Sequence, residues 1–208
     1  MRKSTSVKRA TVGRKAVATA VAAMGIAGAT VLVTTGSAQG HGYADSPTSR
    51  QVHCAQGDVT DCGAVENEPQ SVEGPKGFPG AGPEDGTICA GGNEGFAALD
   101  DPRDGEWPTT KLEPGADHTF SWTNTARHST TDYQYFVTKD GWDPAKKLTR
   151  ADLEPEPFLT VPMDGEQPAE KETHDGKLPD KSGHHLIVGV WNVADTSNAF
   201  YSCADVEF

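Results

Sequence analysis

The chain has 208 residues, and its 18 basic and 30 acidic side chains give a formal net charge of −12 at pH 7. An acidic chain repels phosphate groups, which disfavours nucleic acid or an anionic membrane as partner and leaves a neutral polymer or a small molecule. The sequence contains neither an internal repeat nor a Ser/Thr/Pro-rich linker, so we expect one domain with a core of its own.

The N-terminal segment has the composition of a secretory signal peptide. Six basic side chains lie in the first 15 residues, and residues 16–40 are uncharged and rich in Ala, Val, Gly and Thr. Because Ala38 and Gly40 suit a signal peptidase, we expect residues 1–40 to be removed and the protein to be secreted. A membrane anchor is the alternative, but the apolar run has few large side chains and no basic flank after it.

Cleavage after Gly40 would leave a mature chain of 168 residues (208 − 40) that begins with His41. This chain, residues 41–208, keeps all 30 acids but only 12 bases (18 − 6), so its net charge is −18 (12 − 30). We expect it to form a single extracellular domain.

Residues 50–115 include a long stretch that is rich in Gly and Pro. Within it, residues 74–95 (GPKGFPGAGPEDGTICAGGNEG) contain too many of these residues for a regular element. A loop of this length in a compact domain is usually functional or disordered, and the cysteines around it favour an ordered loop.

Four cysteines, Cys54, Cys62, Cys89 and Cys203, lie in the expected mature chain. An even number of cysteines outside the cell predicts two disulfides. A zinc site is the other option, but no pair has C-x-x-C spacing. Three pairings are open; local closure favours Cys54–Cys62, which leaves Cys89–Cys203.

Four segments of the second half predict β-strands: 118–124, 132–138, 185–193 and 199–208. In the first segment, Phe120 and Trp122 share one face, and the third is an apolar run with β-branched residues. Such patterns, broken by turn residues, predict an all-β fold with an antiparallel β-sandwich. We also expect a helical turn within residues 143–154.

A histidine at the start of a chain can bind a metal ion through two nitrogens. The α-amine and ring Nδ1 of His41 could close a six-membered chelate, and an α-amine has an ordinary pKa of about 7.7–8.0, so a metal displaces its proton readily near neutrality. A second histidine would complete a three-nitrogen set that favours copper, whereas magnesium and calcium prefer oxygen ligands.

Six further histidines are candidates for the third nitrogen: His53, His118, His128, His174, His184 and His185. Each one, taken alone, is more typical of a surface or turn histidine. The context favours His128, because it lies between two predicted strands, where a side chain can project from the end of a sandwich. The small Ala126 lies two residues before it and leaves room beside a metal. Spacing alone does not settle the choice.

Four segments carry a resemblance to a known family: HGYADSPTSR, EPQSVEGPKGFPGAGPEDG, TARHSTTDYQYFVTKDGWDP and VWNVADTSNAFYSCADVEF. With them, the mature chain resembles the bacterial lytic polysaccharide monooxygenases of auxiliary activity family ten, copper enzymes first described as chitin-binding proteins. The segments occur in the family's order and cover essentially the whole mature chain. The resemblance implies a fibronectin type III or immunoglobulin-like β-sandwich with a long, partly helical, disulfide-tied loop insertion.

The resemblance also implies a copper site of the kind called a histidine brace. His41 in HGY and His128 in T-A-R-H correspond to the family's two copper ligands. Phe200, in N-A-F-Y, corresponds to an aromatic near an axial position, although the residues alone indicate a core aromatic. Ala126 corresponds to the small residue that restricts the opposite axial approach. Glu73, in S-V-E-G, corresponds to the acid that helps to place O2 or H2O2.

By the same resemblance, a substrate face surrounds the copper, and its residues are Glu68, Asn67, Asp195, Thr196 and Asn198. The cysteine pairing of close relatives is similar to Cys54–Cys62 and Cys89–Cys203. Many relatives have an aromatic residue where this chain has Asn67. Losing a stacking ring costs roughly 1–2 kcal/mol of apolar burial, about tenfold in binding, so we expect weaker adsorption to chitin.

The activity that the resemblance implies is oxidative cleavage of a β-1,4-linked insoluble polysaccharide. An external electron donor reduces the copper, O2 or H2O2 is the co-substrate, and hydrogen is abstracted from a sugar carbon. The segments T-A-R-H-S-T-T and N-A-F-Y resemble the chitin-active branch, whose members typically oxidise C1; cellulose is the alternative substrate. We expect a monomer.

Three other functions are compatible with parts of the sequence. A non-catalytic chitin-binding protein would adsorb to the polymer without forming oxidised products. A copper carrier would transfer metal without binding a polymer, and the matches on the substrate face count against it. A glycoside hydrolase would need a carboxylate pair at hydrolytic separation, which cannot be placed among so many acids.

Overall fold

A computed structural model describes Met1 and residues 41–208 of the chain. The predicted signal peptide, residues 1–40, therefore lies almost wholly outside the described residues. Within the described part, no helix is long and apolar enough to cross a membrane.

The regular structure consists of β1 (His41–Ser46), α1 (Arg50–Gln56), β2 (Glu73–Pro75), β3 (Thr110–Lys111), β4 (Asp117–Ala126), β5 (Thr130–Val137), β6 (Leu159–Pro162), β7 (Lys171–Lys177), β8 (His184–Val193) and β9 (Asn198–Glu207). Short 3-10 helices lie at Gly63–Glu66, Pro69–Ser71, Glu94–Asp100, Arg103–Gly105 and Arg150–Asp152. One sheet has the order β1-β4-β7, and the other has the order β2-β9-β8-β5-β6, with β3 parallel to β9. The remaining neighbours are antiparallel, so the predicted β-sandwich is confirmed.

The four predicted strands correspond to β4, β5, β8 and β9, each within two residues of the expected bounds. The helical turn expected within 143–154 is the 3-10 helix Arg150–Asp152, which Thr149 and Asp152 close with a reciprocal capping box. Strand β7 was not predicted, because its sequence KETHDGK is polar and His174 is its only buried residue. An edge strand that is mostly exposed lacks the apolar alternation by which strands are recognised.

Two buried clusters explain why β8 is a continuous apolar run. Ile187, Trp191 and Val193 point into the core between the two sheets. Val188 and Val190 point the other way, into a second core formed with the insertion of residues 50–115. Since side chains alternate along a strand, a strand covered on both faces must be apolar at nearly every position.

The insertion is tied to the sandwich by the disulfide Cys89–Cys203, while Cys54–Cys62 closes a local loop beside α1. This is the pairing that local closure favoured, and it uses every cysteine in the chain. Since Cys203 lies within β9, the first of these bonds fixes the insertion against the larger sheet.

The expectation that residues 74–95 hold no regular element is wrong at both ends of that stretch. Gly74 and Pro75 belong to β2, the edge strand of the larger sheet, where a proline is tolerated because one side of the strand needs no donor. A side chain at Gly74 would place its Cβ 2.0 Å from the carbonyl oxygen of Gly91, so the close approach of these two backbones requires glycine. At the other end, Glu94 begins a 3-10 helix that reaches Asp100.

Candidate metal centre

Five strand ends lie at the same end of the sandwich. They are the start of β1 at His41, the end of β4 at Ala126, the end of β8 at Val193, the start of β9 at Asn198 and the end of β2 at Pro75. Antiparallel pairing places the start of one strand beside the end of its neighbour, so residues far apart in sequence meet there. Loops at the end of a sandwich are a common location of binding sites.

The register of the strands brings predicted site residues side by side. His41 pairs with Ala126 across β1 and β4, and Glu73 pairs with Phe200 across β2 and β9. His128 follows Ala126 by two residues, in the connection of residues 127–129 between β4 and β5. The pairing therefore places the second candidate ligand close in sequence to the residue that faces His41.

A cavity of about 280 Å³ opens beside His41 and is lined by His41, Glu68, Ser71, Glu73, Asn93, Phe96 and Phe200. Four predicted site residues thus share one cavity. Phe200 contributes to its wall although the residue is 0 % exposed, and its ring packs on Trp191 with ring centroids 4.9 Å apart. Phe200 is therefore both a core aromatic, as its strand position indicates, and part of the site.

His128 is held in one orientation by residues of the β8–β9 loop, which we define as residues 194–197. His128 is 6 % exposed, and its Nδ1 lies 3.2 Å from Oδ1 of Asp195. The Ala194 amide donates to the carbonyl of Ser129 at 2.6 Å, which joins this loop to the β4–β5 connection. A carboxylate acceptor places the ring proton on Nδ1, so Nε2 is the nitrogen left to bind a metal.

Glu73 is also held, by Asn198, the first residue of β9 directly after the β8–β9 loop. The side-chain amide of Asn198 donates to Oε1 of Glu73 at 2.9 Å. The backbone amide of Asn198 donates in turn to Oγ1 of Thr196 at 3.2 Å. Three residues expected on the substrate face, Asp195, Thr196 and Asn198, therefore make contacts that fix other site residues or one another.

Asn67 lies outside the cavity beside His41. It is exposed and contributes to a separate cavity of about 510 Å³, together with Gln56, Thr60 and Glu66 among others. Glu68, the next residue, does line the cavity beside His41. The two neighbouring residues of the expected substrate face are thus divided between two cavities.

The other five candidate histidines have partners elsewhere in the protein. The closest pairs are His53–Asp58 (3.0 Å), His118–Ser46 (3.2 Å), His174–Tyr135 (2.7 Å), His184–Asp205 (3.0 Å) and His185–Thr138 (3.0 Å). None of these histidines lines the cavity beside His41.

The donor set at this end of the sandwich fits a copper ion. Imidazole nitrogen is a good ligand for copper, and a free Nε2 on His128 is what a metal needs from that side chain. Among the described residues, no group of three or more His, Cys, Asp or Glu side chains is arranged around a metal site. A brace is compatible with this, because it needs only two side chains and takes its third nitrogen from the α-amine.

Residues 41–206 match the family described as "Lytic polysaccharide mono-oxygenase, cellulose-degrading". The chain belongs to the lytic polysaccharide monooxygenase family. The match begins at His41, the residue expected to start the mature chain, and it extends into the last strand.

Two curated relatives illustrate the range of this monooxygenase family. The chain is 47 % identical over 172 residues to the AA10 family lytic polysaccharide monooxygenase C of Mycosarcoma maydis, covering 81 % of this chain and 52 % of that protein. It is 42 % identical over 183 residues to the GlcNAc-binding protein A of Shewanella oneidensis, covering 88 % of this chain and 38 % of that protein. The chain thus spans about half, or less, of the length of these relatives.

Solved structures of the monooxygenase family match the fold over nearly their whole length. An AA10 lytic polysaccharide monooxygenase from Streptomyces lividans is 56 % identical, with a TM-score of 0.79 and coverage of 81 % of this chain and 100 % of that one. A Bacillus amyloliquefaciens CBM33 protein in complex with Cu(I) is 41 % identical, with a TM-score of 0.73 and coverage of 80 % and 99 %.

Sequence reasoning missed three residues of the cavity beside His41: Ser71, Asn93 and Phe96. Ser71 lies two residues before Glu73, so its closeness in sequence to a predicted site residue was an available signal. Asn93 and Phe96 lie beyond the Gly-rich stretch, where no local pattern connects them to the site. Lys76, which contacts the β8–β9 loop, was missed as well.

Proposed function

We propose that the chain, trimmed to begin at His41, is a secreted copper-dependent lytic polysaccharide monooxygenase that cleaves β-1,4 bonds of crystalline chitin with oxidation at C1. The observation that carries the proposal is the placement of His41 opposite Ala126, two residues from His128, whose Nδ1 is engaged by Asp195. Family membership and the Cu(I) complex of a structural relative support the same interpretation.

Three nitrogens of the mature chain would hold the copper. They are the α-amine and Nδ1 of His41 and Nε2 of His128. The chemistry that copper supplies when bound is electron transfer from an external reductant to O2 or H2O2, which leads to hydroxylation of a sugar carbon beside the β-1,4 bond. The side chain of Asp195 keeps the His128 ring in the tautomer that exposes Nε2.

The residues around the nitrogens would control what approaches the metal. Phe200 presents a buried aromatic ring, supported by Trp191, and so excludes water from its side of the site. Ala126, opposite His41, presents only a methyl group. The Glu73 carboxylate, fixed by Asn198, faces the cavity and can accept a hydrogen bond from a protonated co-substrate or hold its proton.

Two observations bear on the polysaccharide, and they favour different substrates. A relative named GlcNAc-binding protein A favours chitin, a polymer of that sugar, as the substrate of this chain. The description of the matching family as cellulose-degrading favours cellulose as the second candidate. Both polymers are neutral, which suits a mature chain of net charge −18 (12 − 30). The exposed Glu68 and Asp195 can accept hydrogen bonds from hydroxyl or acetamido groups on the substrate.

Mass spectrometry of the soluble products from chitin and cellulose, with copper and ascorbate, tests the proposal. The expected products are chitin oligosaccharides that end in an aldonic acid. The control is the same protein with one glycine added before His41, which converts the α-amine into an amide and should abolish turnover without changing the fold. Adsorption without oxidised products would favour a chitin-binding protein and sink the proposal; oxidised products from cellulose alone would overturn the substrate.

A further inference from the structure

The β8–β9 loop connects the two halves of the proposed copper site. At its start, the Ala194 amide donates to the β4–β5 connection, and Asp195 engages the ring of His128 at 3.2 Å. Directly after it, Asn198 donates to the Glu73 carboxylate at 2.9 Å. A shift of this loop would therefore move the partners of His128 and Glu73 together.

Lys76 makes three hydrogen bonds to this loop and to the residue before it. Its backbone amide donates to the carbonyl of Ser197 at 3.0 Å. Its Nζ donates to the carbonyl of Thr196 at 2.8 Å and also to the carbonyl of Val193, the last residue of β8. Lys76 is half-buried, and it follows the last residue of β2 directly. One side chain thus joins the strand that carries Glu73 to both ends of the loop.

We propose that Lys76 is a positioning residue for the copper site: through the β8–β9 loop, it holds Asp195 against His128 and Asn198 against Glu73. An ammonium group has three donors and forms charge-assisted hydrogen bonds, so it can join the carbonyl of Val193 to that of Thr196. Groups that orient metal ligands without touching the metal commonly affect metal affinity tenfold or more. This inference rests on the proposed function.

The substitution Lys76→Met tests the inference, because it removes the ammonium and keeps an apolar stem. Lys76→Arg keeps a cationic donor. Lys139→Met is the matched control, since Lys139 also donates from Nζ to a backbone carbonyl, that of Ala151 at 2.8 Å, away from the site. The protein is the mature chain beginning at His41.

The first readout is the pair of ring ¹⁵N shifts of His128 in the copper-free protein, which report its tautomer. In Lys76→Met, the Nδ1 and Nε2 shifts should move towards the average of the two tautomers, because the Asp195 contact is loosened. The second readout is the Cu(II) dissociation constant from calorimetry, which should rise about tenfold. Lys76→Arg should keep the His128 ring shifts and the Cu(II) dissociation constant close to their wild-type values. Lys139→Met should change neither quantity.

Wild-type His128 shifts together with wild-type copper affinity in Lys76→Met would overturn the inference. A lowered unfolding temperature with unmoved His128 shifts would overturn it as well, because Lys76 would then have only a structural role. If Lys76→Met does not fold, Lys76→Gln replaces it in the same two measurements. Failure of the wild-type chain to bind copper would sink the proposed function instead, and the His128 shifts would still decide on Lys76.

Discussion

The Nδ1 atom of His128 lies 3.2 Å from the Oδ1 atom of Asp195, a residue 67 positions further along the chain. The side chain of Asp195 is more than half exposed, whereas that of His128 is buried. Without this contact, the His128 ring could adopt either of its two neutral tautomers. We expect Asp195→Ala to weaken Cu(II) binding by the mature chain about tenfold, measured by calorimetry.

Asp180→Ala is the matched control for this change, because Asp180 is also an exposed aspartate. It should leave copper affinity unchanged. An equal loss of affinity in both variants would show that overall charge, and not the contact with His128, sets the affinity. Unchanged affinity in Asp195→Ala would show that His128 keeps its orientation without this partner.

The substitution Glu73→Gln should separate turnover from copper binding. The introduced amide keeps an oxygen that can accept from Asn198, so the local structure should persist. The variant loses the group that can hold a proton, and a positioned acid or base typically contributes 10²–10⁴-fold to rate. We therefore expect turnover on chitin to fall about 100-fold, with copper affinity within about threefold of wild type.

Glu113→Gln, at an exposed glutamate between β3 and β4, is the control for Glu73→Gln and should turn over like wild type. Product release is followed by mass spectrometry, and copper affinity by calorimetry. A parallel loss of both quantities in Glu73→Gln would assign the carboxylate to copper binding instead of co-substrate handling.

Asn67→Trp should strengthen adsorption to β-chitin. Asn67 is exposed and lies outside the cavity beside His41, so a ring can be placed there without disturbing the proposed ligands. Stacking on a sugar adds roughly 1–2 kcal/mol of apolar burial, which is about tenfold in the equilibrium constant. Glu156→Trp, at an exposed glutamate between β5 and β6, is the control for non-specific adsorption by tryptophan. Equal adsorption of Asn67→Trp and wild type would show that a stacking ring at this position does not strengthen binding to β-chitin.

The sequence could indicate single candidate ligands of the proposed site, but not the contacts that hold them. His41 stands after a small-residue stretch, and the position between two alternating strands favours His128, which the family resemblance also implies as the second ligand. The contacts that fix the site could not be anticipated, since Asn198 and Glu73 are 125 residues apart. They depend on the register of β2, β8 and β9, which no local pattern determines.

The strands of the fold likewise include some that the sequence predicts and some that it does not. Strands with apolar alternation, such as β4 and β5, were predictable, because each buries one face in the sandwich core. Strand β2 has only three residues, Glu73–Pro75, and two of them are Gly and Pro, which locally indicate a loop. It exists because β9 offers an unpaired edge and Gly74 permits the close approach of Gly91.

The long-range disulfide should contribute more stability than the local one. Cys89 and Cys203 are 114 residues apart, whereas Cys54 and Cys62 are 8 apart. If the disulfides stabilise the protein by lowering the chain entropy of the unfolded state, the long loop contributes about 5 kcal/mol to the free energy of unfolding and the short loop about 2.5 kcal/mol. Urea unfolding of the two double alanine variants measures the difference. Equal losses would show that strain or local packing, and not loop length, sets the contribution.

Asp100 should make the protein less stable as pH rises through about 6. Burial raises the pKa of the Asp100 carboxyl from 3.8 to about 6, even though the amides of Cys89 and Ala90 donate to it and oppose the change. Between these two values the folded state binds the extra proton, so the free energy of unfolding falls with rising pH. Each unit of pKa corresponds to about 1.4 kcal/mol, so the loss is on the order of 2–3 kcal/mol.

His174 acts in the opposite direction over nearly the same range. Burial lowers the pKa of His174 from 6.5 to about 4, so between these values the unfolded state binds the extra proton and stability rises with pH. The two effects should partly cancel in the wild type between these pKa values. Asp100→Asn removes one of them, and urea unfolding of the copper-free variant should then show a steeper rise of stability with pH than wild type. Parallel profiles of the two proteins would mean that Asp100 titrates in the folded state as it does in the unfolded chain.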